Sequence, residues 1–462
     1  MIRMNQTHGN EAESRLRTES IGRLMLRMGI PTLVAQLINL LYNMVDRIYI
    51  GHIKDVGATA LTGVGVSLPV ILIITAFSSF VGSGGAPLAA IALGRGDRDR
   101  AETILGNGVT LLIAFSAALT AGFLIFKKPF LYMVGASDVT YPYADEYITI
   151  YLWGTLFVQL TMGLNTFITA QGQSRIAMLS VVIGAVLNII LDPVFIFALN
   201  MGVRGAALAT ILSQAVSAAW VIAFLTRKNT ALRLKWARLK PQWHILGSIA
   251  ALGVSPFIMQ ATESLISIVM NKGLYVYGGD IYVGSLTVLQ SVMQLIWLPM
   301  NGFMQGVQPI MSYNYGAGDV HRVRDTFRRS LIICVVSAFV LTLSAILFPG
   351  MYARIFTEDA ALIALVEKAL PIFIFGMMFI GIQNACQSTF MALGQAKLSL
   401  FIALLRKVIL LVPLAILLPR FTGEVMSIYF AEPISDTISV IVCGTLFTLN
   451  FKKILSRCKE AL

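Results

Sequence analysis

The sequence predicts an all-α integral membrane protein with 12 transmembrane helices, arranged as two parallel repeats of six helices (6+6). The first observation is composition, since 57% of the 462 residues are hydrophobic, 13% are charged and the mean hydropathy is +0.78. That balance is far more apolar than in an ordinary water-soluble domain. The second is a series of apolar stretches long enough to cross a bilayer. The third is an internal repeat.

Apolar stretches of about 20 residues define the predicted spans in chain order. Spans 1 to 6 lie at 24–50, 59–82, 103–126, 146–166, 176–199 and 205–226. Spans 7 to 12 lie at 247–274, 283–307, 327–348, 362–386, 397–418 and 427–450. The predicted organisation is a cytoplasmic leader (1–23), an N-terminal lobe (24–226), a basic cytoplasmic linker (227–246), a C-terminal lobe (247–450) and a cytoplasmic tail (451–462).

The two halves of the chain repeat. "APLAAIALGRGDRDR" (86–100) matches "QPIMSYNYGAGDVHR" (308–322), and "TAQGQSRIAML" (169–179) matches "MALGQAKLSLF" (391–401), each at an offset of 222 residues. Because an even number of spans separates the copies, both halves cross the membrane in the same direction. We therefore expect two similar lobes with a central cavity between them.

The basic residues indicate topology rather than nucleic-acid binding. The net charge is +12, but Lys and Arg are dispersed at the ends of apolar runs. They are concentrated in the loops on the side of the two termini, which the positive-inside rule assigns to the cytoplasm. The sequence thus predicts a multi-pass protein of the plasma (inner) membrane with both termini cytoplasmic, a lipid bilayer as surroundings and no nucleic-acid partner.

Motifs that would indicate an enzyme are weak. "GRGD" (94–97) and "GAGD" (316–319) match the GxGD pattern of intramembrane aspartyl proteases, but they lie at repeat-equivalent ends of spans. There, Gly permits a tight turn and Asp caps a helix. The histidines lack HExxH spacing, the cysteines lack CxxC spacing, and no phosphate-binding loop is present. We expect no catalysis, no cofactor and no metal beyond a possible Na⁺, so uphill transport would draw on an ion gradient.

Polar residues inside the predicted spans indicate a site in the N-terminal lobe. Span 1 carries four of them on one helical face, at Gln36, Asn39, Asn43 and Asp46. Span 5 carries Asn188 and Asp192 one turn apart, followed by Pro193, and Thr210 lies at the same depth in span 6. Such oxygens suit a Na⁺ site or a pair of proton-exchanging carboxylates. The alternative is that the carboxylates are satisfied structural groups. The second half does not keep them, so the ion site is expected in the first lobe alone.

The second half has its own intramembrane charges, listed as Glu263, Arg406, Lys407, Glu432 and Asp436. Acid and base are comparable in number, so structural ion pairs are favoured over substrate contacts. Span 8 adds Gln290, Met293 and Gln294 at helical spacing. This stripe is typical of core packing, but thioethers also suit a cavity for varied apolar molecules.

Several motifs in order resemble the multidrug and toxic compound extrusion (MATE) family, in particular its DinF and MepA-like branch. They are "YNMVDRIYIG" (42–51), "LGRGD" (93–97), "TAQGQSR" (169–175), "NIILDP" (188–193) and "GQAK" (394–397). The resemblance extends from about residue 20 to residue 450. It implies a monomeric antiporter that expels amphipathic, often cationic compounds in exchange for H⁺ or Na⁺, with two lobes that open alternately inward and outward.

The resemblance also implies roles for particular residues. The coupling residues of the branch are similar to Asp46, Asn188, Asp192 and Thr210, and Pro31 is similar to the proline around which span 1 bends. Glu263 resembles the span 7 glutamate of the NorM branch, although "GVSP" (253–256) has one extra residue before its proline. The candidate substrate cavity comprises Gln36, Asn39, Asn43, Glu263, Gln290, Met293 and Gln294.

The function expected from these observations is secondary active multidrug efflux. One alternative is a flippase for a lipid-linked precursor, which would need a strongly basic cavity, whereas Arg406 and Lys407 are the basic residues that the spans offer. Another is a passive channel or membrane scaffold, in which an ion gradient would not affect dye accumulation.

Overall fold

The computed structural model describes residues 7–54 and 56–460, and these residues form helices and connecting loops without a β-strand. The first half contains α1 (Thr7–Thr18), α2 (Ile21–Gly51), α3 (Gly57–Gly94), α4 (Arg98–Met133), α5 (Tyr141–Trp153), α6 (Thr155–Ala170), α7 (Ser174–Pro193) and α8 (Val203–Leu225). The second contains α9 (Trp243–Gly278), α10 (Asp280–Gly316), α11 (Val320–Leu347), α12 (Pro349–Phe356), α13 (Ala360–Phe373), α14 (Ile380–Ala392), α15 (Ala396–Leu404), α16 (Val412–Thr422) and α17 (Ala431–Glu460).

The all-α membrane fold predicted from the sequence is confirmed. Within the described ranges, ten helical segments are long and apolar enough to cross a membrane, or eleven when α5 and α6 count as one span bent by 59°. The remaining predicted span, 362–386, corresponds to the shorter α13 and α14, which a 3₁₀ turn (Phe375–Met378) joins. The predicted 12 spans therefore all have a helical counterpart, and spans 4 and 10 are each divided into two shorter helices.

Two short irregular segments interrupt repeat-equivalent spans. After Pro193, span 5 continues as a π-helical segment (Val194–Ala198), and span 11 contains another one (Leu405–Leu411) between α15 and α16. A π segment leaves backbone carbonyls without their usual helical partners. The irregular segment in the first half directly follows Pro193, and the second half has a counterpart.

The GxGD loops cap helices, as expected. Asp97 and Asp319 each accept a hydrogen bond from a backbone N–H in the first turn of the following helix, at 2.9 Å. Gly96 and Gly318 both have a φ of +77°, which favours glycine at these turns. The two loops therefore serve as repeated structural turns.

The two halves meet through glycines related by the repeat. A Cβ on Gly94 would contact the backbone of Tyr313, and one on Gly316 would contact Ile91, whose number differs from that of Tyr313 by the same 222. The α2–α10 and α3–α9 contacts are related in nearly the same way, with partner residues 221 apart. A Cβ on Gly306 would meet Met28, while one on Gly84 would meet Ile249. Three pairs of glycines allow this close approach, listed as 29 and 253, 84 and 306, and 94 and 316. Their nearest neighbours are backbone atoms except at Gly29, which meets the ring of Phe303, and together these contacts close one end of the molecule.

That closed end also carries α1 and the C-terminal part of α17. Helix α1 contacts both halves there, because Glu13 pairs with Arg98 at 2.6 Å while Arg322 donates to the carbonyl oxygens of Leu16 and Glu19 at 3.0 and 2.9 Å. Near the C-terminus, the backbone of Ile454 accepts a hydrogen bond from the same region of α10. We refer to this end as the termini end.

The linker between the halves is fixed to α4. Lys235 pairs with Glu102 at 2.6 Å, Arg238 pairs with Asp99, and the side chain of Asn107 accepts from the backbone N–H of Gln242 at 2.7 Å. These contacts hold the start of α9 against the first half. They also satisfy the buried amide of Asn107, which would otherwise be costly in an apolar surrounding.

Candidate functional site

The predicted polar residues of α7 and α8 come together in the structure. Asn188 and Asp192 are both buried one turn apart on α7, and the amide Nδ2 of Asn188 donates to Oδ1 of Asp192 at 3.1 Å. The same Nδ2 lies 3.5 Å from Oγ1 of Thr210 on α8, and Thr210 in turn donates to the carbonyl of Ala206 at 3.0 Å. Three of the four predicted coupling residues thus form one connected group.

The fourth residue, Asp46, faces this group from α2. Its side chain is 8% exposed, and it lies close enough to Asp192 for their charges to interact. Packing of α2 against α7 brings the two carboxyl groups together. Because two like charges in an apolar interior repel and are poorly solvated, this geometry favours binding of a proton or a cation between them.

Several oxygens of the group lack a hydrogen-bond donor in the described structure: Asp46 Oδ1, Asn188 Oδ1 and Asp192 Oδ2. Buried acceptors normally have a partner. An additional proton, water or monovalent cation at this place would satisfy them, and oxygen atoms are the ligands that hard cations prefer. The donor set therefore fits Na⁺ as well as H⁺. No group of three or more His, Cys, Asp or Glu side chains suited to a metal ion occurs in the described part of the chain.

Tyrosines complete the wall of this site, although they were not among the site residues predicted from the sequence. Tyr147 on α5 is 4% exposed, lies within hydrogen-bond reach of Thr210 and is close to Asp46, as is Tyr42 on α2. Tyr151 stacks on Tyr147 with ring centroids 6.1 Å apart. Tyr147 and Tyr151 are four residues apart, like Asn188 and Asp192, but tyrosines are common in membrane helices, so this spacing alone does not identify them.

The polar face of α2 continues toward the termini end. Gln36 donates from Nε2 to Oε1 of Gln305 on α10 at 3.0 Å, which is a direct hydrogen bond between the two halves. Immediately beyond it, Gly302 packs against Leu33 and Gln36. The pair Gln36 and Gln305 therefore lies at the border of the closed interface.

Further from the termini end, the same two helices have exposed polar residues. Asn43 is exposed and donates to the carbonyl of Asn39 at 2.6 Å, and Gln294 on α10 is also exposed. Since exposed amides are unfavourable against lipid, they indicate an aqueous space between the halves at this level. Gln290 is half-buried, and Met293 packs against the core of the second half. We therefore expect the two halves to be separated on the side away from the termini.

Aromatic residues form a second contact between the two halves. Phe257 on α9 lies edge-on to Phe77 and near-perpendicular to Phe80 of α3, with centroids 4.9 and 6.0 Å apart, and Phe115 of α4 joins the group. Such pairs contribute about 0.5–1.5 kcal/mol each beyond area burial. They add an apolar contact between the halves next to the glycine contacts.

In the second half, the charged residues form ion pairs, which confirms that expectation. Arg406 pairs with Asp436 at 2.7 Å and with Glu432 at 3.5 Å, while Lys407 pairs with Glu263 at 2.9 Å. Glu263 differs from the others because its side chain is 51% exposed. It is thus the most exposed member of this charged group.

Comparisons with known proteins give matches over most of the length of this chain. The MatE family model matches residues 31–194 and again residues 256–417. The multidrug export protein MepA of Staphylococcus haemolyticus (strain JCSC1435) is 24% identical over 430 residues, covering 92% of this chain and 94% of that protein. MepA of Staphylococcus aureus (strain NCTC 8325 / PS 47) is 24% identical over 423 residues, covering 91% and 93%.

The fold is similar to that of solved membrane transporters. A multidrug resistance MATE family transporter in an outward-facing conformation superposes with a TM-score of 0.87 at 22% identity, covering 98% of this chain and 99% of that chain. A MATE structure in a bent conformation gives a TM-score of 0.89 at 22% identity. The two matches of one family model and these folds agree with two repeated halves of six helices.

Proposed function

The chain belongs to the MatE family, and from that premise we propose that it is a secondary active multidrug efflux transporter. It exchanges amphipathic or cationic compounds for H⁺ or Na⁺ by alternating access. The observation that carries the proposal is the buried group of Asp46, Asn188, Asp192 and Thr210, whose acceptor oxygens lack donors. Charged groups inside membrane spans are costly and are generally kept for function. The printed names of the MepA relatives support multidrug export as the activity.

The coupling follows from charge. When the space between the lobes is open away from the termini, a proton or Na⁺ from outside reaches Asp46 and Asp192 and neutralises them. Neutralisation removes the repulsion between the two carboxylates and stabilises the conformer that has released its drug. Reciprocity requires that drug binding weaken cation binding to the same extent. One charge moving through 100 mV supplies about 2.3 kcal/mol for this exchange.

The lobes open and close at the glycine contacts. The termini end faces the cytoplasm, and the closed interface there is the inner gate of the outward-open state. Gln36 and Gln305 form the polar floor of the cavity, and Gln290, Met293 and Gln294 line it from α10. Pro31, in the first part of α2, allows this helix to bend during the change, because its ring removes a helical hydrogen bond. The transporter works as a monomer in the plasma (inner) membrane.

The flippase alternative is not favoured. A pyrophosphate headgroup needs a strongly basic cavity, whereas Arg406 and Lys407 are both paired with carboxylates. Their positive charge is therefore largely neutralised within the protein.

A transport assay in lipid vesicles tests the proposal. The purified protein is reconstituted, and efflux of the fluorescent cation ethidium is followed with pH and Na⁺ gradients imposed separately. At least one gradient is expected to drive ethidium uphill. The result with the other gradient shows whether the second ion is also coupled to ethidium transport. Ethidium movement that ignores both gradients would instead identify a passive channel.

A further inference from the structure

The second half holds a group of five charges that the N-terminal coupling site does not use. It comprises two cations, Arg406 and Lys407, and three carboxylates, Glu263, Glu432 and Asp436. All except Glu263 are at most 4% exposed. The cations come from the π-helical segment of span 11, and two of the carboxylates come from the facing turns of α17. This C-lobe charge group therefore has one carboxylate more than it has cations.

The uncompensated carboxylate is Glu432. Asp436 accepts a hydrogen bond from Arg406 at 2.7 Å, and Glu263 accepts one from Lys407 at 2.9 Å. Glu432 has only a 3.5 Å approach from Arg406, and its Oε1 has no hydrogen-bond donor. A buried carboxylate that shares its cation with a second acid and lacks a hydrogen-bond donor is strongly unfavourable in a membrane span.

Lys407 lies between two possible partners. The charged groups that face Glu432 are Lys407 and Arg406 from the π segment, Glu263 from α9 and Asp436 from its own helix. Lys407 is thus close to Glu432 as well as to Glu263. Its four-carbon stem has rotatable bonds, so its ammonium can change partner without a backbone movement.

The position of Arg406 is fixed, by contrast. Its guanidinium lies over the ring of Trp297 on α10 at 5.4 Å, and its backbone carbonyl accepts a hydrogen bond from Ser435 at 2.7 Å. The same guanidinium holds Asp436, so Arg406 and Asp436 remain paired with each other. The exchangeable members are Lys407, Glu263 and Glu432.

We propose that Glu432 is a second proton-binding site, which releases its proton when a cationic compound takes Glu263 and Lys407 moves to Glu432. The substrate class at Glu263 is an organic cation, because its carboxylate is half exposed and attracts positive charge. The assignment of this cation as a transported compound rests on the proposed function. The proton site itself does not.

The exchange balances in charge and atoms. Before binding, Glu432 is a neutral acid and Lys407 neutralises Glu263. After binding, the organic cation neutralises Glu263, Lys407 neutralises Glu432, and the O–H bond of Glu432 has broken to release one proton to the cavity. No other bond is made or broken, and the net charge of the group is the same in both states.

A proton fits this place better than a metal cation. Two ammonium or guanidinium groups already lie beside Glu432, and they would repel a metal ion from the same small volume. The described residues also contain no cluster of three acids suited to a metal. A proton needs no coordination shell and satisfies the orphan oxygen directly.

The first test detects the protonated carboxyl itself. Infrared difference spectra are recorded for the full-length protein in the background Asp46→Asn/Asp192→Asn, which silences the N-terminal site. A carbonyl band of a protonated carboxylic acid is expected, and ethidium should remove it. Glu432→Gln should lack the band, while the exposed control Glu358→Gln should keep it. A band that ethidium leaves unchanged, or that persists in Glu432→Gln, would overturn the proposal.

The second test counts protons. Ethidium binding is measured by calorimetry in buffers that differ in ionisation enthalpy, again with Asp46→Asn/Asp192→Asn, so that no transport is needed. Release of about one proton per ethidium is expected, and none in the same protein with Glu432→Gln. Equal proton release with and without Glu432→Gln would refute the exchange. Failure of vesicle transport together with intact proton release would refute the proposed function alone.

Discussion

Thr210 is the residue whose contribution depends on the identity of the coupling ion. Its hydroxyl oxygen lies near Asn188 but adds no charge to the site. A directly bound Na⁺ would lose one ligand in Thr210→Ala, whereas a proton carried by Asp192 would not need that oxygen. We expect Na⁺-driven efflux to fall several-fold more than proton-driven efflux. The control is Thr226→Ala at the other end of the same span, and equal losses under both gradients would contradict a bound Na⁺.

Asp46 is the carboxylate that α2 contributes, and Asp46→Asn keeps its volume but removes its exchangeable charge. Drug binding to the purified wild-type protein is expected to weaken as Asp46 takes up a proton on lowering the pH from about 8.5 to about 5.5. The variant is expected to bind with a smaller pH dependence than wild type, because Asp192 and Glu432 still exchange protons, and to give no concentrative efflux. Asp280→Asn, an exposed carboxylate outside the site, is the control. If the variant follows pH as wild type does, Asp46 is not the titrating group.

At the residue level, the sequence predicted the polar side chains but not their surroundings. Asn188, Asp192 and Thr210 could be paired from spacing and depth alone, because a polar group in an apolar span stands out. Tyr147 could not, since a tyrosine in a membrane helix is common and only packing of α5 against α8 brings it to Thr210. Glu263 could be singled out in the same way. Its pairing with Lys407 could not, because the π-helical segment of span 11 positions that lysine.

At the scale of helices, the glycines of α3 and α10 are expected to determine whether the termini end can close. Gly84→Val places a branched side chain against the backbone of Ile249 and Gly253 on α9. Overpacking costs about 1–3 kcal/mol, which shifts a two-state equilibrium by about tenfold or more away from the closed interface. Gly65→Val, on the same helix but with open space around its Cβ, is the matched control.

Spin labels measure that shift. They are placed at Arg95→Cys, in the loop after α3, and at Arg324→Cys, near the start of α11, two exposed positions at the termini end. Gly84→Val is expected to move the distance distribution to longer values and to reduce efflux, and Gly65→Val is expected to do neither. An unchanged distribution in Gly84→Val would show that the close approach at α3 and α9 is not needed for closure.

Helix α1 is expected to strengthen the same interface through Arg322. In Arg322→Ala, the carbonyls of Leu16 and Glu19 and the amide oxygen of Asn314 lose a charged donor. Hydrogen bonds to charged groups contribute about 1.5–3 kcal/mol each, so the melting temperature in detergent should fall by several degrees. Arg324→Ala, which is exposed on the same helix, should leave it nearly unchanged. A fall of the same size in both variants would contradict a specific role.

The sequence located the spans but not their interruptions. Hydropathy gives the same signal for a straight helix and for α5 and α6, which bend by 59° at Gly154, where α8 packs with Ile211. The separation of α13 from α14 is equally invisible, because the apolar run is continuous. Helix α1 was missed for the opposite reason, since its polar sequence has no apolar stretch and its order depends on contacts with both halves.

At the scale of the whole molecule, the repeat explains both the symmetry of the gate and the asymmetry of the charges. The glycine contacts occur in reciprocal copies at offsets of 222 to 224 residues, so both lobes contribute equally to closing the termini end. The carboxylates do not repeat. The N-terminal lobe holds Asp46 and Asp192 with few compensating charges, while the C-terminal lobe pairs its acids with Arg406 and Lys407. We therefore expect the main coupling step in the first lobe.

The most direct measurement runs the exchange backwards in proteoliposomes. An outward ethidium gradient is imposed without any ion gradient, and the internal pH and internal Na⁺ are recorded for wild type and Asp192→Asn. Reciprocity predicts that wild type moves H⁺ or Na⁺ inward as ethidium leaves, and that Asp192→Asn, at a similar level of protein, moves neither. Ion movement in Asp192→Asn equal to that of wild type would contradict coupling at the buried carboxylates of the first lobe.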